Sequence, residues 1–113
     1  MRLPSADEAV IPIEKLRDYL LSSQHPLGRF KATFFASLGY TEDGYVQLEA
    51  DLRSQHLLLD AEAGELSTYG RKFVITGPLT GPSGRTAILV SVWVIPTGKE
   101  TPRFVTAYPG GNR

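Results

Sequence analysis

The stretch that decides the fold is Arg85-Thr86-Ala87-Ile88-Leu89-Val90-Ser91-Val92-Trp93-Val94-Ile95. It is the most β-prone part of the chain, because Val, Ile, Thr and Trp suit a pleated surface. Alternation sets Ile88, Val90, Val92 and Val94 on one face and Ala87, Leu89 and Trp93 on the other. Apolar side chains on both faces predict a central strand with Trp93 in the core. Turn material flanks the stretch. Gly77-Pro78-Leu79-Thr80-Gly81-Pro82-Ser83-Gly84 precedes it, with three Gly and two Pro, and Pro96-Thr97-Gly98-Lys99-Glu100 follows. Beyond those turns lie two more strands, Tyr69–Thr76 and Arg103–Tyr108, the last ended by Pro109-Gly110-Gly111. Three strands joined by short turns make an antiparallel meander.

The chain before Tyr69 has helical periodicity. Residues 1–11 look extended, and Pro12 suits the first turn of a helix because its missing N–H costs nothing there. A short helix over Ile13–Leu21 puts Ile13, Leu16 and Leu20 on one face, flanked by Tyr19. His25-Pro26 opens a second helix, Leu27–Leu38, with the stripe Leu27, Phe30, Phe34 and Leu38 and with Gly39 as its stop. Lys31 falls away from that stripe. Tyr40–Gly44 reads as a loop. A third helix, Tyr45–Leu58, carries Val46, Leu48, Leu52 and His56 on one side, and Asp60–Leu66 reads as a polar loop. Helices first and strands second predict an α+β fold, about three helices on one face of a three-stranded or slightly larger antiparallel sheet.

With 113 residues and an apolar fraction of 42%, the chain reads as one domain, 1–113, with a core and no linker. No apolar run is long enough to span a membrane, and the start, Met1-Arg2-Leu3-Pro4-Ser5, lacks a signal-peptide h-region. There are no cysteines, which removes disulfides and thiolate chemistry and fits the cytoplasm. The zero net charge hides a split. Residues 1–65 carry eleven acids and six bases, and residues 66–113 carry six bases (Arg71, Lys72, Arg85, Lys99, Arg103, Arg113) and one acid, Glu100. A basic face steers phosphate-bearing partners even at zero net charge; the plainer alternative is that the two halves attract each other. A protein that coats nucleic acid would be basic throughout.

Of the chemistries available, metal catalysis is disfavoured, since His25 and His56 are the only histidines and neither joins a ligand motif. Nucleotide-cofactor loops and the Gly-x-Ser-x-Gly elbow are absent, so no cofactor is expected. General acid–base chemistry with cationic support remains. His25 stands before a helix start, with Arg29 and Lys31 within two turns. Metal-free phosphodiester transfer wants one group to move protons and others to hold the phosphate. The alternative is a loop histidine beside a solvated lysine. On the last strand Thr106 and Tyr108 share a face, either as a hydroxyl pair toward a groove or simply as a half-buried sheet face. Arg71 and Lys72 point to opposite sides, so only one of them meets a given groove. A sheet whose half of the chain has no carboxylate but Glu100 leaves His25 or a tyrosine as the proton carrier.

Three strings carry a resemblance: His25-Pro26-Leu27-Gly28-Arg29-Phe30-Lys31-Ala32-Thr33-Phe34-Phe35, Tyr69-Gly70-Arg71-Lys72-Phe73 and Arg103-Phe104-Val105-Thr106-Ala107-Tyr108-Pro109. Together with Leu3-Pro4-Ser5-Ala6-Asp7 and Gly77-Pro78-Leu79-Thr80-Gly81, they resemble a small bacterial domain of unknown function, the DUF6883 type. That family is in turn similar to toxin domains of the barnase–EndoU–colicin–RelE type. The resemblance implies N-terminal helices on an antiparallel sheet, metal-independent ribonuclease activity and a neutralising partner protein. It implies that His25, Arg29 and Lys31 face a cleft to which the last strand brings Thr106 and Tyr108.

Three functions stay open. In the first, a toxin-type ribonuclease acts through His25, Lys31, Thr106 and Tyr108, with Arg29, Arg71 and Arg103 on phosphate. The second is a non-catalytic module that binds a protein. The third is an immunity or antitoxin-like protein working through Glu42, Asp43, Glu49, Asp51, Asp60, Glu62 and Glu65. RNA and a small cognate antitoxin or immunity protein are the expected partners. An exposed sheet edge leaves the oligomeric state open.

Overall fold

Arg85–Ile95 forms the centre of the molecule. In the computed structural model, which describes residues 1–26 and 29–110 (Arg29 and Phe30 by their backbone), it falls within strand β3, Thr86–Pro96. The other strands are β1 (Ala61–Leu66), β2 (Gly70–Thr80) and β4 (Arg103–Pro109), and the antiparallel sheet runs β1-β2-β3-β4. Three helical segments precede it. α1 (Ile13–Lys15) passes into a π-helical turn (Leu16–Leu20), α2 covers Arg29–Ser37, and α3 (Tyr45–Asp51) passes into a second π-helical turn (Leu52–His56). None of the described helices is long and apolar enough to cross a membrane.

The α+β order is as the periodicity predicts, with a fourth strand added. Asp60–Leu66 is not a loop: Ala61, Glu62 and Ala63 pair with Ile75, Val74 and Phe73. Its Ala, Glu and Gly give it little β propensity, so the neighbouring strand imposes the pairing. Nor does β2 stop at Thr76. It continues through Gly77 and Pro78 to Thr80, opposite Leu89, Ile88 and Thr86. The register of β1 ends at Ile75, so this part of β2 is a sheet edge, where proline leaves no partner unsatisfied.

The helices cover the face that bears Phe73, Ile75 and Leu79 of β2, Leu89, Ser91 and Trp93 of β3, and Phe104 and Ala107 of β4, all buried. Leu16, Leu20, Phe35, Leu38, Leu48, Leu52 and Leu57 fill the space opposite. Burying a side chain of this size stabilises the fold by about 1.5–3 kcal/mol. Two expected core residues face outward instead. Ile13 is 47% and Val46 67% exposed, because each stands at the start of its helix, past the edge of the buried stripe.

α2 stops as expected at Gly39, with φ 101°. The N–H of Tyr40 donates to the Phe35 carbonyl and that of Gly39 to Ala36, a Schellman ending, and the Phe35 and Tyr40 rings meet edge-on. The Leu38 carbonyl then accepts from Ser83 N–H, which fastens the helix end to the β2–β3 turn. A side chain at Gly81 would collide with that carbonyl.

The first eleven residues contain a 3-10 turn, Ala6–Glu8, and act as a strap. Arg2 bridges to Asp60 beside β1, and Val10 bridges to Arg103 on β4. Leu3, Ala6, Ala9 and Ile11 are buried between those anchors.

Candidate functional site

The outer strand β4 is irregular where it matters. Thr106 pairs with Val92 and Phe104 with Trp93, so Val105 is an extra residue with no partner of its own. A bulge of this kind re-aims side chains. Val105 and Thr106 line an open cleft of about 470 Å3 together with Lys15, Tyr19 and His25. Lys15 and Tyr19 reach it as an i, i+4 pair on the first helical segment, and His25 comes from the loop before α2.

A polar cluster forms the cleft wall. Lys31, on α2, donates from Nζ to the Tyr19 hydroxyl at 2.5 Å and approaches Thr106 Oγ1 at 3.4 Å. The Tyr19 hydroxyl and Thr106 Oγ1 are 3.3 Å apart. The His25 ring meets the Tyr19 ring edge-on, centroids 4.9 Å apart. Partial burial of Tyr19 pushes its phenol up, but hydrogen bonds from Lys31 and Thr106 and the charges of Lys31 and Lys15 outweigh burial and hold it below its ordinary value. The arrangement is therefore a phenol whose ionised form is favoured by a neighbouring ammonium and hydroxyl, with an imidazole ring against it.

Of the residues singled out in the sequence, His25, Lys31 and Thr106 come together here. Tyr108 pairs with Val90 on the same strand, is 40% exposed, and does not line the cleft. Arg103 lies at the start of β4 and lines a second cavity instead. Arg71 is on β2, two strands from β4, and donates to the Gly64 carbonyl at 3.1 Å. The side chain of Arg29 and the residues Leu27, Gly28 and Arg113 lie outside the described residues. Tyr19, the centre of the cluster, was read only as a helix flank. Its spacing from Lys15 was the available signal.

His56 is elsewhere, fully buried under the sheet. Its Nε2 is 2.7 Å from Ser91 Oγ, which also accepts from Trp93 Nε1 at 2.9 Å. The indole N–H only donates, which leaves the serine proton for Nε2. Burial pushes the imidazole down to about 4, against the opposite pull of the Pro78 and Ile75 carbonyls. Among the described residues no three His, Asp or Glu side chains gather in a way that could hold a metal ion.

The profile of a family described as a domain of unknown function (DUF6883) matches residues 2–111. No curated protein matches the chain significantly. Among solved structures, a chain of a contact-dependent growth inhibition toxin–immunity protein complex from Klebsiella pneumoniae 342 has a similar fold. The TM-score is 0.67 and the identity 19%, over 95% of this chain and 97% of that one.

Proposed function

We propose that this chain, which belongs to the DUF6883 family, is a metal-independent ribonuclease-like domain of the toxin type. The observation that carries the reading is the convergence of Tyr19, Thr106 and His25 on one open cleft, with Lys31 bonded to the Tyr19 and Thr106 hydroxyls behind it. Cleavage would be an internal transfer. The ribose 2′ oxygen attacks phosphorus as its proton passes to Tyr19, and the bond to the 5′ oxygen breaks as His25 supplies that oxygen with a proton. The products are a cyclic phosphate and a 5′-hydroxyl. Each positioned proton carrier is worth about 10²- to 10⁴-fold in rate. Lys31 keeps the phenol ready and offsets charge on the phosphate, while the Thr106 hydroxyl orients both. Arg103, in the second cavity, stands apart from the linkage that is cut, and exposed Tyr108 offers a ring face to a base. Arg71 has no part in cleavage on this reading. A small neutralising protein would cover the cleft.

The fold likeness to a chain of a toxin–immunity complex also supports an immunity-type or non-catalytic reading, with the exposed acids Glu42, Asp43, Glu62 and Glu65 as its surface. One experiment separates them: purified protein with labelled tRNA and total RNA in the presence of a chelator. The ribonuclease reading expects cleavage by the wild type, and its loss in His25→Ala and in Lys31→Ala. No cleavage by the wild type, or undiminished cleavage by the double variant, overturns it. Rescue of cells from a cognate toxin would establish the immunity role.

A further inference from the structure

A second cavity, of about 230 Å3, is lined by Val10, Pro96, Lys99, Glu100, Thr101 and Arg103. It shares both walls with the catalytic cleft. On one side, β4 runs from Arg103 in this cavity to Val105 and Thr106 in the cleft. On the other, the chain runs from Val10 here through Ile13 to Lys15 there. Strand geometry puts Arg103 and Thr106 about 10 Å apart. Among the described residues no ion pair engages Lys15, Lys31, Lys99 or Arg103, whereas Arg17 and Arg53 are tied to Asp18 and Glu49. The two cavities are thus stations on one edge of the sheet, with Lys15 at the first and Lys99 and Arg103 at the second free of ion pairs among the described residues. Glu100 is the acid on the rim of the second. Val10, 37% exposed, gives the second cavity an apolar wall.

We infer that Lys99 and Arg103 form a second phosphate subsite, which holds a linkage of the RNA strand neighbouring the one cut beside Tyr19. The inference rests on the ribonuclease reading and extends it from a single phosphodiester to an extended strand. A polymer charged at every nucleotide suits a groove with cations at intervals. A free phosphate or a mononucleotide could occupy only one station and would gain nothing from the other.

The test compares two probes: a single-stranded RNA of about twelve nucleotides and a dinucleoside monophosphate, which has one phosphate. In the Lys99→Ala/Arg103→Ala variant, affinity for the longer RNA should fall about tenfold, and the slope of log affinity against log salt should shrink by about 2. Cleavage of the dinucleoside monophosphate should not change. Lys99→Arg/Arg103→Lys should restore binding, and Glu100→Gln should tighten it. The single variant Lys99→Ala, in a turn, reports half of the slope change if the double variant folds poorly. Wild-type cleavage with an unchanged salt slope in the variant overturns the subsite alone. Equal losses on both probes overturn it too, since they mean damage to the cleft. No cleavage or binding of either probe by the wild type overturns the ribonuclease reading along with it. Capture of an acidic protein by Lys99 and Arg103 while RNA affinity stays the same also overturns the subsite.

Discussion

The two histidines occupy opposite situations. His56 is sealed beneath β3, its Nε2 engaged with Ser91 and its charge suppressed by burial. His25 stands in a loop at the mouth of a cleft, its ring against Tyr19. Around His56, the imidazole Nε2, the Ser91 hydroxyl and the Trp93 indole bond one another and hold β3 to the α3 layer, while Nδ1 is buried without a hydrogen-bond partner. Those around His25 meet at a surface, where Lys31, Tyr19 and Thr106 lie within hydrogen-bond distance of one another beside an open cleft. Proximity of polar groups is common to both regions. Access to solvent is what separates the two networks.

The contrast breaks first, and most visibly, through Tyr19. Tyr19→Phe should lower RNA cleavage about 10²- to 10⁴-fold and leave the urea unfolding midpoint nearly unchanged; a variant with full activity would remove the phenol from the chemistry. His56→Ala should do the reverse. It opens a cavity and strands Ser91, which costs about 3–4 kcal/mol in denaturant unfolding, while the rate per folded molecule holds. The same imidazole sharpens the comparison through pH. Its folded value near 4 lies below the ordinary 6.5, so the unfolded chain binds the extra proton between those values. Stability is full above about pH 6.5, falls as pH drops toward 4 by at most about 3 kcal/mol, and levels off below. His56→Gln should flatten that slope, as read by thermal unfolding across the range. Lys31→Met should raise the titration of Tyr19, moving the ultraviolet tyrosinate signal to higher pH. The smallest effect belongs to Tyr69→Ser. That ring is 83% exposed at the β1–β2 turn, and the change should stay within about 0.5 kcal/mol.

The parts that were legible are those in which local pattern and global burial agree. Trp93 and the alternation around it announce a central strand, and Gly39 announces a helix end. β1 was illegible because Ala61-Glu62-Ala63-Gly64-Glu65 lacks strand-forming side chains and becomes a strand only when β2 supplies the partner. The extension of β2 through Gly77 and Pro78 hid behind residues that normally break structure, and only the missing neighbour beyond Ile75 makes them tolerable. In the cleft, His25, Lys31 and Thr106 were visible as chemistry-bearing types in suggestive places. Tyr19 was not, because the pairing of Tyr19 with Lys31 joins two helices and the pairing with Thr106 joins a helix to the last strand. No periodicity encodes such meetings. The bulge at Val105, which brings Thr106 to the cleft, likewise has no signature in its own composition.

The strap of the first eleven residues ties these regions together. Its far anchor, Val10 on Arg103, belongs to the wall that joins the two cavities, and its near anchor holds the start of β1. The cohesion of the sheet and the shape of both cavities therefore lean on the same span. Prying it loose would uncover both margins of the sheet, beside β1 and beside β4, so a ligand that gripped this segment would reshape the groove without ever touching Tyr19.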